Sequence, residues 1–459
     1  MVDQHGEVLT DPVEMASALR EHWRGVFARR PVDTQLLNAW LEEDSPPAAP
    51  PPDGAAWQLG AHHVQAAIER SPDSAPGPDG IPFKAWRQLG PLGVDVLGAA
   101  LQALTAPDAP EDLQAFLADF NGSLMVFLPK GDGLLPDGRT GHAPSDTRPL
   151  NIVNSDNRLL AAAVRFCVEE PLSTMITVDQ QGFVPGRSML SNVVDIDEIM
   201  MLTALSQPRG SAGFFDFQAA FPSVAHDFLM AALRAAGLPG WLTRFVEYLY
   251  EHNNCKMVVG GKLHTGFSSH AGIRQGCPLS PILFAVAVDV LLRRLRAKVP
   301  GVELRAFADD VAAVVSDLML SVPSLHTVFH EFGRLSGLRL NLPKTVMVPL
   351  FLGDRGAIAQ EVIRDRPGWG GLRVADHAKY LGFVLGPGRG CKAYDKALSK
   401  YLDRAASWGK AGGGLFATAV AYSSYVASVV SFLIQLDGLP PRWPAVEAEA
   451  FRALVPGIS

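Results

Sequence analysis

The stretch ELRAFADDVAAVV (303–315) decides the reading, because two apolar runs of strand length meet at a bend that holds Asp309 and Asp310. Aspartate suits such a bend, since its short side chain bonds the local backbone. The pattern predicts strand, turn, strand, with two adjacent carboxyl groups at a rigid tip. An acidic pair at a bend is ordinary by itself. GFFDFQAAF (213–221) changes its weight: a short aromatic strand ends at Asp216 and could lie beside the hairpin in one sheet.

Convergent carboxylates of this kind match a known chemical need. When a hydroxyl attacks an α-phosphate, two divalent ions a few ångströms apart stabilise the attacking and the leaving oxygen. Magnesium keeps several waters and takes only one or two carboxylates plus phosphate oxygens, so two or three aspartates suffice.

Working outward, residues 12–44 read as helical, SPPAAPPPDG (45–54) as a linker, and SPDSAPGPDGIP (71–82) as a shaped loop whose prolines and glycines exclude regular structure. SLMVFLPKGDG and TRPLNIVN suggest an antiparallel strand pair, with helices at 156–175 and 191–206. KMVVGGKLHTGF carries a hairpin signal at Gly260 and Gly261. CPLSPILFAVAVDVLLRRLRAKV is the clearest helix, with Ser280 expected as its N-cap and Pro281 as its first residue. Strands mixed with helices in no strict alternation give an α+β fold class.

The chain has 459 residues, 48% of them hydrophobic, enough for several packed cores. Its net charge of -7 excludes a protein that binds polyanions by bulk charge, so any nucleic-acid contact must use local basic surfaces. The four cysteines form no CxxC pair, which excludes a readable disulfide framework or zinc knuckle and favours a reducing, intracellular setting. MVDQHGEVLTDPVEM lacks the apolar core of a signal peptide.

An ordered run of segments resembles the reverse transcriptase domain of non-LTR (LINE-type) retrotransposons. SAPGPDGIPFKAW (74–86) resembles the loop before the fingers; FLPKGDG with RPLNIVNSDNRLL (127–160) and QQGFVPGRSMLSNV (180–193) resemble the two fingers motifs. FFDFQAAFPSV (214–224) resembles the motif of the first catalytic Asp, GIRQGCPLSPILF (272–284) the glutamine-glycine motif, and AFADDVAAV (306–314) the double-Asp motif. SGLRLNLPKT (336–345) and KYLGFVLG (379–386) resemble the motifs that close the palm. Two positions depart from the pattern: Pro222 stands where a second Asp is common, and Phe307 where Tyr often precedes Ala-Asp-Asp.

The resemblance implies a right-hand polymerase fold: a lead-in over 1–60, fingers over 61–205, a palm of antiparallel sheet backed by helices over 206–388, and a helical thumb over 389–459. It implies an RNA-directed DNA polymerase with RNA template, DNA primer and dNTPs as partners and two Mg2+ ions, or Mn2+, as cofactor. Asp216, Asp309 and Asp310 are then catalytic, and Asp216, Phe217, Asp309 and Asp310 hold metal. Lys130, Arg148, Phe221, Gln275, Gly276 and Lys344 would contact the nucleotide. Phe221, five residues after Asp216, would exclude a ribose 2′-hydroxyl by overlap. GRGCKAYDKALSKYLDRAASWGK (388–410) spaces Lys392, Lys396 and Lys400 by four, with Arg404 following, and a helical stripe of that kind suits a phosphate backbone.

Two other functions share these residues, an RNA-directed RNA polymerase on the same palm and a decayed copy that binds RNA without chemistry. Phe221 argues against the first, the complete aspartate set against the second. LFATAVAYSSYVASVVSFLIQL (415–436) is uncharged and long enough to span a bilayer, but its Ala, Ser and Tyr content predicts a buried thumb helix and no stable membrane association. The sequence is expected to be the polymerase portion of a longer product, and no protein partner is readable in it.

Overall fold

The computed structural model describes residues 1–3, 6–44, 57–108, 112–131, 133 and 140–455. The expected linker at 45–54 lies outside them. The strands are β1 (Ser123–Pro129), β2 (Thr147–Val153), β3 (Ser211–Phe215), β4 (Asn254–Val259), β5 (Lys262–Ser268), β6 (Glu303–Phe307), β7 (Asp310–Val315), β8 (Val346–Pro349), β9 (Arg373–Val374), β10 (Ala378–Tyr380) and β11 (Phe383–Leu385). With the many helices between them they make a mixed α+β protein. It divides into two compact units, residues 1–187, 217–300 and 324–341 in the first and 188–216, 301–323 and 342–459 in the second.

The first unit is built on a sheet of order β2-β1-β4-β5. β1 and β2 pair antiparallel, Leu128 opposite Arg148, as their alternating apolar residues predict, while β1 and β4 run parallel. β4 and β5 close through Gly260 and Gly261, whose φ of +57° and +74° is the left-handed geometry a two-residue hairpin turn demands. The predicted helix over 12–44 is two helices, Pro12–Val26 and Thr34–Asp44. Asp11 caps the first by accepting from the Glu14 N–H, and its Ala16, Leu19 and Trp23 pack with Met125, Met257 and Phe267. Trp23 also donates to the Thr147 hydroxyl at 3.2 Å, which fixes the start of β2.

The helix Ser280–Lys298 carries a nearly all-round buried surface. Its expected cap is corrected: Leu279 occupies the N-cap and Ser280 is already helical, because its N–H bonds back to the Cys277 carbonyl at 3.2 Å and starts the helix one residue early.

The second unit is a five-stranded sheet, β6-β7-β3-β8-β9, plus the β10-β11 hairpin. Every residue of central β3 (SAGFF) is buried, which a strand covered on both faces requires. Val193, Ile196 and Met200 of the helix Met189–Ser206 pack on one face of the sheet, in a core that also takes Leu398, Tyr401 and Ala405 from the helix Asp395–Lys410.

The expectation of a buried helix over 415–436 is overturned. The segment is helical from Gly414 but breaks into a wider π turn at Tyr422–Val426, and only 17% of Gly414–Ser431 is buried. Ala421, Val426, Val430 and Leu433 form the inward stripe, while Leu415 and Phe416 are 72% and 84% exposed. Among the described residues this is the one helix long and apolar enough to cross a membrane.

Candidate active site

In the second unit, β6 and β7 pair with Phe307 opposite Asp310, which leaves Ala308 and Asp309 as the two-residue turn. Ala308 sits at φ +56°, a conformation costly for a residue with a Cβ and typical of a tip held in shape by its surroundings. β3 pairs with the other side of β7, Phe215 opposite Val311, so the next step in register carries Asp216 to the Asp310 position. The sequence thus brings together the three carboxylates it predicted.

The electrostatics follow from that crowding. Burial, then the neighbouring carboxylates of Asp309 and Asp216, push Asp310 up to about 7, and Lys344 acts in the opposite sense. Lys344 reaches this field from the exposed end of the turn before β8. Among the described residues no three His, Cys, Asp or Glu side chains converge as a finished ligand cage. The carboxylates share a field that one lysine offsets only in part, and an oxygen-only, negative rim of this kind fits a hard divalent ion.

Behind the hairpin lies a support that sequence reasoning missed. The Tyr380 hydroxyl donates to Asn192 Oδ1 at 2.8 Å, and Asn192 Nδ2 donates to the Ala306 carbonyl at 3.0 Å, two residues before the turn. Asn192 is fully buried, so each bond replaces water that cannot reach it. Both residues stand inside quoted motifs, SMLSNV and KYLGFVLG; what escaped notice was that the two motifs meet.

The first unit gathers the other candidates around β1 and β2. Lys130 follows β1, its N–H bonded to the Asp146 carbonyl at 2.8 Å and its ammonium to the Ser145 carbonyl at 3.1 Å, and Arg148 projects exposed from β2. The Gln275 carbonyl accepts from the Asn151 N–H at 2.9 Å, so the Gln275–Gly276 ledge lies against β2. A Cβ on Gly276 would come within 2.6 Å of the Asn151 carbonyl, and its φ is +115°; only glycine lets the backbone approach so closely.

Phe221 is half-buried, stacked on Phe284 at 4.3 Å between ring centroids and met edge-on by Phe183. Its carbonyl accepts from the Ile273 N–H at 2.8 Å, which ties it to the ledge segment. Phe217 instead turns its ring into the aromatic core, beside Phe329 and Phe332, so only its backbone carbonyl offers a ligand atom.

The expected basic stripe is corrected in part. Lys392 lies in a 3-10 turn, Gly390–Ala393, before the helix begins at Asp395, so it does not share a helical face with the others. Lys396 and Lys400 are exposed on the helix. Arg404 is half-buried and donates to the Tyr425 carbonyl at 2.6 Å, which occupies part of its guanidinium within the unit.

Residues 128–385 match the family model described as reverse transcriptase (RNA-dependent DNA polymerase). That span includes every candidate above except Lys392, Lys396, Lys400 and Arg404. The chain is 27% identical to a Drosophila melanogaster retrovirus-related Pol polyprotein from type-2 retrotransposable element R2DM, over 54% of this chain and 24% of that protein. It is 28% identical to a Bradysia coprophila retrovirus-related Pol polyprotein from type-1 retrotransposable element R2, over 61% of this chain and 32% of that one. A Xenopus laevis transposon TX1 149 kDa protein shares 26% identity over 50% of this chain and 20% of its own length. The chain therefore spans a third or less of each of these relatives.

Proposed function

The chain belongs to the reverse transcriptase (RNA-dependent DNA polymerase) family, among the Pol proteins of non-LTR retrotransposons, and from that membership we propose that it extends a DNA primer with dNTPs on an RNA template. In this reading fingers and nucleotide ledge are built on β1, β2 and residues 272–276, the palm carries the carboxylates on β3 and the β6–β7 turn, and a helical thumb runs from residue 389. The observation that carries the reading is the register that sets Asp216 beside Asp310 at the tip of a rigid hairpin.

Asp216, Asp309 and Asp310, with the Phe217 carbonyl, would hold Mg2+, or Mn2+ in its place. When bound, the ions supply charge stabilisation to the attacking and leaving oxygens. The chain's own residues do the rest. Arg148 forks onto phosphate oxygens and Lys130 adds a compact charge, Lys344 steadies negative charge near the carboxylates, and Gln275 with Gly276 presents amide and bare backbone to the base pair. The Phe221 ring, backed by Phe284, occupies the space a 2′-hydroxyl needs, which favours DNA over RNA as product. Lys396 and Lys400 track the template backbone, and the reaction runs inside the cell.

Primer extension on an RNA template with Mg2+ tests the reading directly. The parental chain extends the primer, and Asp309→Ala or Asp216→Ala lowers the rate by about three orders of magnitude, the worth of several kcal/mol of charge stabilisation. A folded Asp309→Ala protein that extends at the parental rate would remove the catalytic assignment.

A further inference from the structure

The first unit buries a cation that none of the roles above uses. Arg274, immediately before Gln275, is 5% exposed. Its Nε donates to Asn253 Oδ1 at 2.8 Å, one terminal nitrogen to Asn157 Oδ1 at 3.3 Å, and the other to Asn121 Oδ1 at 2.7 Å and to the Leu249 carbonyl. Tyr250 lies beside the guanidinium, 5.8 Å from ring centroid to its carbon. The titratable groups that reach it, Cys277, Tyr250 and His226, are a thiol, a phenol and an imidazole. Among the described residues no carboxylate pairs with it.

The same unit treats another buried arginine in the opposite way. Arg294, 8% exposed, meets Glu43 at 2.6 Å and Asp44 at 2.9 Å. Asparagine and aspartate have nearly the same shape, and at position 253 a carboxylate could stand and cancel the charge of Arg274 at the cost of one long amide bond, whereas Asn121 and Asn157 also donate through their amides to the carbonyls of Tyr248, Glu251 and Phe120. Three amides satisfy its hydrogen bonds and leave its full positive charge in place. Burying an uncancelled charge is costly, and a fold that does so three amides deep retains a field it can use.

The field has an evident direction. Gln275 and Gly276 follow Arg274 directly, lie on β2 through Asn151, and share that strand with Arg148. We propose that Arg274 acts as a positioning residue that never touches substrate, holding the Gln275–Gly276 ledge and lending positive potential to the triphosphate of the nucleotide bound there. Asn121, Asn157 and Asn253 keep that potential uncancelled. The inference rests on the reading of Arg148, Gln275 and Gly276 as nucleotide-facing. A unit charge about 10 Å away, at an effective dielectric constant of about 20, changes the affinity for an opposite unit charge by about tenfold.

Asn253→Asp isolates the charge, because it keeps the acceptor for Arg274 and loses only the amide's 3.3 Å bond to the Leu249 carbonyl. Steady-state primer extension with saturating primer and template should show KM for dNTP raised about tenfold, kcat within twofold, and an unchanged or higher Tm. Asn157→Asp, which brings a carboxylate from the helix Ser155–Met175 and loses amide bonds to the Phe120 carbonyl and Asn121 Oδ1, serves if the first variant does not fold, with a lower Tm expected. Arg274→Lys should keep KM within about threefold while lowering Tm, since it retains charge and loses geometry. A folded aspartate variant with parental KM overturns the proposal, and so does one that loses kcat alone. Arg148→Ala separates the two levels: if it raises KM while Asn253→Asp does not, only this inference fails, and if neither moves KM the nucleotide reading of the ledge fails with it.

Discussion

Arg274 in the first unit and Asp310 in the second are both ionisable groups held largely out of water, and the protein handles them differently. A guanidinium cannot shed its proton, so the fold must answer each of its nitrogens, and it does so with three amide oxygens and a carbonyl. A carboxyl can take up a proton, so Asp310 needs no such cradle; burial and its like-charged neighbours carry it to about 7 and it stays close to half protonated near neutrality. One centre is cationic at every working pH. The other has a charge that depends on pH and on whatever cation is present. A polyanionic substrate needs constant attraction, whereas an exchangeable metal ion suits a site whose charge it can itself complete.

The hardest test of that contrast is Asp310→Asn. Activity should fall by about three orders of magnitude, while the metal-free protein becomes more stable above neutrality. The sign follows from the raised folded pKa: the contribution of Asp310 to stability is complete below about pH 4 and is lost as pH rises through about 7. Removing the charge should restore up to about 2–4 kcal/mol at pH 8 and little at pH 4. Melting curves in chelator at the two pH values check this. Mg2+ should also bind more tightly as pH rises toward 7, up to about tenfold per unit, because binding displaces a proton. A substitution whose effect on stability, relative to the parent, is the same at both pH values would mean that the carboxylates do not repel one another as described.

Phe221→Val sharpens the other side, where selection rests on shape and fixed charge. Ribonucleotide use relative to deoxyribonucleotide use should rise about tenfold or more, measured on one RNA template in Mg2+ alone. A folded, active variant with an unmoved ratio would return Phe221 to the role of a stacking partner for Phe284. Tyr380→Phe gives the smallest effect. It keeps the ring packed on Phe214, 5.3 Å away, and deletes only the hydroxyl that fixes Asn192 behind the carboxylate hairpin. Stability should drop by about 1–3 kcal/mol and kcat severalfold, with KM for dNTP unchanged. A loss of stability with no change in kcat would confine the pair to structure.

What could be read from the sequence was mostly what chain-local chemistry decides. The strand ending at Asp216, the 303–315 hairpin and the Gly260–Gly261 hairpin depend on residues within a few positions, and each forms in the expected stretch, though the bend falls at Ala308–Asp309 and leaves Asp310 as the first residue of β7. The failures depend on context. Ser280 has the side chain of a cap, but the preceding turn at Cys277 starts the helix before it can serve. Lys392 keeps a spacing of four from Lys396, yet Gly390 at φ +42° opens a 3-10 turn that takes it off the helix. Hydropathy marks 415–436 as apolar but cannot say how much neighbouring surface there is to cover it, and one narrow stripe is all that packs. Asn192–Tyr380 and the Arg274 cradle were unreadable because each joins motifs far apart in the chain.

The order in which the chain visits its two units has a consequence for its synthesis. The first unit is completed only by residues 324–341, after the chain has twice left it for the second, and the second takes its last portion from 342–459. Growing chains usually fold one domain as soon as its last residue emerges. Here no stretch that stops short of residue 341 contains the whole first unit, and in the second unit β3 waits unpaired until the β7 and β8 that flank it have been made. No single cut can separate the two units, because each is assembled from three separated stretches of chain.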